Sequence, residues 1–228
     1  MIKPGRLLAI ALLALTGVAV QAQETGTLLK HKPAQFGNSR DDRAGWAFVE
    51  DFATCLVSKS PGRAQRLVAL RVGSEDYKSW LSSLLSTGDV CYGFSAQINE
   101  MVLRGAIFQA LYEREFGSNA SLSFDPAMET GYRTIYGNSP SVADTFWISM
   151  EAFGECVAHA DGEAVRTLIR LSPGSASEKE MFARLMPSLS ACLPPGQKYK
   201  ITRQVVKGFL AEGLYRLSVT ARTKGSAG

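Results

Sequence analysis

All four cysteines of the chain obey one translation: moving Cys55 and Cys91 by 101 positions lands on Cys156 and Cys192. The same shift carries Trp46 onto Trp147, Glu50 onto Glu151, Phe52 onto Phe153, Leu67 onto Leu168, Leu70 onto Leu171, Gly73-Ser74 onto Gly174-Ser175 and Leu84 onto Leu185. A fixed offset between rare residues is hard to produce by chance and marks an internal repeat. Past the second cysteine the offset becomes 103, pairing Ile98 with Ile201, Val102 with Val205, Arg104-Gly105 with Lys207-Gly208 and Leu111-Tyr112 with Leu214-Tyr215. Upstream, Phe36-Gly37-Asn38-Ser39 is echoed by Tyr136-Gly137-Asn138-Ser139. The repeat units therefore span 36–115 and 136–219, and the fold must be one that the unit can adopt twice.

Each unit reads as four helices. Trp46, Val49, Phe52 and Leu56 recur every three or four residues, as do Trp147, Met150, Phe153 and Val157, giving one apolar stripe. The next helix is expected to start at Ser60-Pro61, a cap followed by proline in the first turn, or at Asp161. Its apolar face is Ala64, Leu67 and Val68, matched by Val165, Leu168 and Ile169, and Gly73 or Gly174 supplies a left-handed residue to end it. A third helix opens at Ser74, or at a capping box Ser177-x-x-Glu180, and is expected to stop at Gly88 or Pro187. The fourth runs from about Ala96 to Glu115 and from Lys200 to Val219. Without a convincing period-two segment, the class is all-α: two tandem copies of a four-helix, one-disulfide unit. Residues 116–135, rich in Gly, Ser and Asn, read as a connector, and the small, polar 220–228 as a disordered tail.

The chain begins Met-Ile-Lys-Pro-Gly-Arg, runs apolar from Leu7 to Val20 and reaches Val20-Gln21-Ala22 before the polar Gln23-Glu24. A basic start, a short apolar run and a small-residue site form a cleavable signal peptide over 1–22, and the run is short of the ~20 apolar residues a membrane span needs. Residues 23–35 lack a stripe and read as an irregular amino-terminal segment. Loss of Lys3 and Arg6 leaves 23 Lys+Arg against 21 Asp+Glu, a net charge of +2, with no cluster of basic residues. That balance argues against nucleic-acid binding. No later apolar run approaches membrane-spanning length, so the expected compartment is periplasmic or secreted.

In such a compartment disulfides persist. Four cysteines allow three connectivities, and the repeat selects Cys55 with Cys91 and Cys156 with Cys192, because a unit that folded alone before duplicating had only its own two to join. A helix ending Cys-Leu-Val or Cys-Val-Ala, a second cysteine, and then an Arg-Gly or Lys-Gly helix ending Leu-Tyr resemble a group of uncharacterised exported alphaproteobacterial tandem-repeat helical proteins. The resemblance implies compartment and repeat structure and no activity.

Chemistry-bearing patterns are sparse. Gly-x-Ser-x-Gly, His-Glu-x-x-His, the phosphate-loop glycine pattern and Cys-x-x-Cys are all missing from the sequence. The only histidines are His31 and His159, too few for a histidine-based metal site, and no cofactor is implied. Glu50 and Glu151 are single carboxylates, whereas paired-carboxylate catalysis needs a second acid at a defined distance. Arg104 and Lys207, each eight residues before Tyr112 or Tyr215, share a helix face with that tyrosine and form a possible interaction surface. Packing of a buried ring and a basic stem explains the same pattern.

These features favour a non-enzymatic exported helical protein that binds another envelope protein or supports an assembly. Two alternatives stand beside it. Trp46, Trp80 and Trp147 suggest a small apolar or amphipathic ligand held between the repeats, and His159 is the one base around which a hydrolase can be imagined.

Overall fold

A computed structural model describes residues 39–86, 91, 98–117, 123–125, 127–193 and 201–225. The expected signal peptide over 1–22, the segment 23–35 with His31, and the Gly88 helix stop lie outside the described residues. Among the described residues the regular structure is helical throughout, with no strand. Eight α-helices follow in order: α1 Ser39–Lys59, α2 Pro61–Val68, α3 Glu75–Ser86, α4 Glu100–Glu115, α5 Val142–Ala160, α6 Gly162–Arg170, α7 Ala176–Cys192 and α8 Arg203–Gly225.

The apolar pattern decides which helices lie at the centre. A helix buried on one stripe sits at the periphery, whereas one buried all round must be enclosed. α1 buries Val49, Phe52, Ala53, Leu56 and Val57, a single face. α4 buries every residue from Leu103 to Phe108 and from Ala110 to Tyr112, and α8 buries nearly all from Gln204 to Ser218. α4 and α8 pack on each other at the middle, α1 and α2 cover α4, and α5 and α6 cover α8. Side chains from both halves join in one apolar cluster.

Close approach at the centre requires glycine. A Cβ on Gly208 would lie 2.9 Å from the Gly105 Cα, and one on Gly105 would overlap the Gly208 Cα. The α4–α8 crossing thus brings together two positions that the sequence offset equates. The α5–α8 crossing is as tight, since a Cβ on Gly213 would overlap the Gly154 carbonyl. Their counterparts on α1 and α4 are Ala53 and Ala110, both buried.

Cys55 is bonded to Cys91 and Cys156 to Cys192, with Cα–Cα separations of 5.8 and 5.7 Å. Each bond stays within one half and closes the same stretch of chain.

Several local expectations need correction. Pro187 lies inside α7 instead of ending it; proline there forfeits a bond to Ala183, but both residues are exposed while Leu185 and Leu189 stay buried, so water can serve the freed carbonyl. α7 is capped by Ser175, not Ser177: its hydroxyl accepts from Glu178 N at 3.0 Å, and Glu178 reaches back to Gly174 N at 2.7 Å. Gly73 and Gly174 are left-handed, with φ of 78° and 68°, but they turn the chain into α3 and α7 after α2 and α6 have ended. The expected disordered tail is helical as far as Gly225. Arg222 holds it to Glu115 at 2.8 Å, and Thr220 and Thr223 donate to the carbonyls one turn back, both at 2.9 Å.

The connector is ordered where it is described. Phe124, Met128, Tyr132 and Tyr136 are buried, the last two in a 3-10 turn over Tyr132–Tyr136 that docks on α5.

Candidate functional site

The charged residues that the sequence offset matches are brought to the α4–α8 junction, where Arg104, Glu151 and Lys207 are buried and Glu50 is half-buried. Arg104 on α4 is 2% exposed. Its Nη2 donates to Glu212 Oε1 on α8 at 2.8 Å and to the Val68 carbonyl at 3.3 Å, and lies 3.6 Å from Glu151 Oε1 on α5. Arg216 donates to the same Glu212 oxygen at 2.7 Å. The two guanidiniums flank Phe108, their carbons 5.0 and 5.3 Å from its centroid, within cation–π range.

Lys207 on α8 makes the matching arrangement. Its Nζ donates to Glu50 Oε1 on α1 at 2.7 Å and to the Leu171 carbonyl at 2.7 Å, and lies 3.6 Å from Glu178. Each basic residue thus takes a carbonyl 36 positions earlier in its own half and meets the first-helix glutamate of the other half. The two carbonyls are not equated by the offset, which matches Val68 with Ile169 and Leu70 with Leu171, but two further neighbours are. Tyr77, 5.9 Å from Arg104, occupies the place of Glu178, and Glu212 occupies that of Gln109, which bonds Glu50.

The two centres differ in charge. The first gathers two guanidiniums and two carboxylates, and the carboxylates titrate apart. Burial alone would raise Glu212, but Arg104 and Arg216 outweigh it and hold Glu212 below the ordinary carboxylate value. Glu151 is pushed up to about 8, first by burial and then by the negative charge of Glu212; Arg216, Arg104 and the Tyr136 hydroxyl, which donates to it at 2.9 Å, offset this only in part. Glu151 is therefore largely protonated at neutral pH, a direct consequence of its poor solvation and like-charged neighbour. At the second centre, burial raises Glu50 above its usual range against the pull of Lys207.

Arg104, Tyr112, Lys207 and Tyr215 were expected as an interaction surface. The structure places all four inside the molecule, where they bridge the halves. Tyr215 donates to Glu115 Oε1 at 2.8 Å. Tyr112 is buried on α4 beside Arg166 of α6, and burial raises its hydroxyl pKa. Sequence alone hides these partnerships, because Glu50 and Lys207 are 157 positions apart and Arg104 and Glu212 are 108 apart. The sequence offset was the available signal, since it equates Glu50 with Glu151 and Arg104 with Lys207.

His159 lies at the end of α5 with Nε2 3.3 Å from the Met128 carbonyl and its ring edge-on to Phe124. A ring nitrogen facing a carbonyl carries the proton, so that nitrogen is committed as a donor. The tryptophans separate by role. Trp147 packs against Phe146 and Phe209, and Trp80 lies against the core. Trp46 lines an open groove of about 450 Å³ with Arg43, Glu178, Lys179, Arg203 and Gln204, at the junction of α1 with the starts of α7 and α8. Among the described residues no cluster of His, Cys, Asp and Glu is arranged to hold a metal.

No known protein family, curated protein or solved structure matches the chain.

Proposed function

We propose that the protein is a non-enzymatic exported helical protein, built from two tandem copies of one unit, that acts as a rigid binding or structural module in the cell envelope. The observation that carries this reading is the reciprocal pairing at the centre. Arg104 with Glu151 and Glu212, and Lys207 with Glu50 and Glu178, consume in internal contacts the charged groups from which an active site would be assembled. The equivalence of the two centres under the sequence offset, with Gly105 facing Gly208 between them, supports descent from one duplicated unit. Two disulfides support an oxidising compartment. No helix among the described residues is long and apolar enough to cross a membrane. The partner in this reading is another envelope protein, with no nucleic acid involved.

Complementation of a deletion strain tests the reading. His159→Ala and Glu151→Gln should both restore the phenotype while the fold persists, and crosslinking of intact envelopes should join the protein to a defined partner. Loss of function at normal abundance and unchanged melting temperature in either variant would favour an enzyme instead.

A second reading, a small ligand held between the halves, is favoured by the Trp46 groove, which combines α1 of one half with α7 and α8 of the other.

A further inference from the structure

We infer that the Trp46 groove is a binding site for a small ring-bearing oxyanion, a carboxylate or phosphate ester, an inference that rests on the small-ligand reading of that groove. Three cations line it: Arg43 from α1, Lys179 from α7 and Arg203 from α8. All three are exposed, and none takes part in an ion pair among the described residues. Glu178, the one carboxylate in the lining, is already countered by Lys207 at 3.6 Å and by the Gly174 N–H at 2.7 Å. Among the described residues the wall therefore carries more positive than negative charge. The start of α8 lies at this groove and adds the partial positive charge of a helix N-terminus, whereas that of α7 is already met by Glu178.

One further feature indicates a ligand with more than a charge. Trp46 is half-buried and offers an aromatic wall. Gln204, 6% exposed, contributes an amide side chain to the lining. The volume of about 450 Å³ falls within the range of small-molecule sites.

The corresponding place in the other half shows what a site without this role looks like. There Asp144 stands for Arg43 and is locked to Arg71 by bonds of 2.6 and 2.9 Å. Lys78 stands for Lys179 and is paired with Glu75 at 2.8 Å. Glu100 stands for Arg203, and Trp147 for Trp46, its ring packed on Phe146 and Phe209. One place carries its own counter-charges, whereas the other has Arg43 and Arg203 where the first has Asp144 and Glu100.

Phenyl phosphate and benzoate serve as probes, with benzyl alcohol as the neutral control, titrated into the full mature protein labelled with nitrogen-15. The Trp46 indole N–H resonance, identified from Trp46→Phe, should shift saturably with at least one of the two anions. Phosphate alone assigns a phosphate ester, benzoate alone a carboxylate, and both together a general oxyanion site. Lys179→Glu combined with Arg203→Glu, both at exposed positions, should weaken binding by about 10-fold or more. The neutral Lys179→Gln and Arg203→Gln variants should each weaken it less, which separates loss of charge from any local misfolding. Binding of benzyl alcohol as tight as the anions, with no effect of charge reversal, would overturn the oxyanion inference and leave a ligand groove. Absence of any saturable shift would overturn both.

Discussion

Replacing Glu151 by glutamine isolates the free energy tied up in one buried proton. In the folded protein the Glu151 carboxyl titrates at about 8 against an ordinary value of 4.5. Between those values the native state holds a proton that the unfolded chain has released, so stability falls as pH rises. The slope contributed by one such group is about −1.4 kcal/mol per pH unit, and the whole window is worth at most ~5 kcal/mol. Glutamine keeps an oxygen to accept from the Tyr136 hydroxyl but cannot ionise. The variant should thus match the parent near pH 5 and become progressively more stable than it toward pH 8. Urea denaturation followed by tryptophan fluorescence at intervals across that range supplies the slopes, and their difference cancels titration elsewhere in the chain. Parallel stability profiles for parent and variant would refute the reasoning, as would a variant less stable than the parent at pH 8.

Gly105→Ala and Gly208→Ala should each destabilise by ~1–3 kcal/mol, because the added methyl forces apart two backbones in contact. Gly62→Ala, on α2 with open space around it, should gain ~0.5–1 kcal/mol, and thermal melts of the three distinguish crowding from helix propensity. Lys207→Met strands Glu50 and the Leu171 carbonyl and should cost ~3–5 kcal/mol; adding Glu50→Leu should restore part of it, and strict additivity in the double-mutant cycle would deny the pair. Reduction of either disulfide should remove about 4 kcal/mol in the chain-entropy account of a loop this long, read as a fall in melting temperature, while non-reducing peptide mapping recovers Cys55 with Cys91 and Cys156 with Cys192.

Much of the framework was legible because its signals are local. The stripe Val49, Phe52 and Leu56 marks α1, and Asp161 does cap α6, accepting from Ala164 N at 3.0 Å. Helix ends were less legible where two local rules competed. Pro187 signals a stop, yet the buried Leu185 and Leu189 and the bonded Cys192 carry the helix past it. Thr220 to Lys224 is polar and small enough to suggest disorder, and only the distant Glu115 reveals why it stays helical. The central charges were misread for a related reason. A basic residue and a tyrosine on one helix face suggest an exposed surface until helices from the other half close over them. The Trp46 groove leaves no motif, since its lining comes from α1, α7 and α8, brought together only by folding.

The division of labour between covalent and ionic contacts has a consequence for the halves as separate objects. Both disulfides lie within a half, so each half carries its own staple. The shortest contacts of the central cations cross between the halves: Arg104 pairs with Glu212 at 2.8 Å and Lys207 with Glu50 at 2.7 Å, while Glu178 of its own half lies 3.6 Å from Lys207. A half in isolation would lose these cross-half partners and would expose the glycine-lined face where α4 meets α8. Apolar packing alone would tolerate several orientations of two such faces. Paired charges at fixed positions tolerate few, because any slip along the α4–α8 contact separates Arg104 from Glu212 and Lys207 from Glu50 together. The positions that agree between the halves are accordingly not a surface repeated twice but the two sides of one joint.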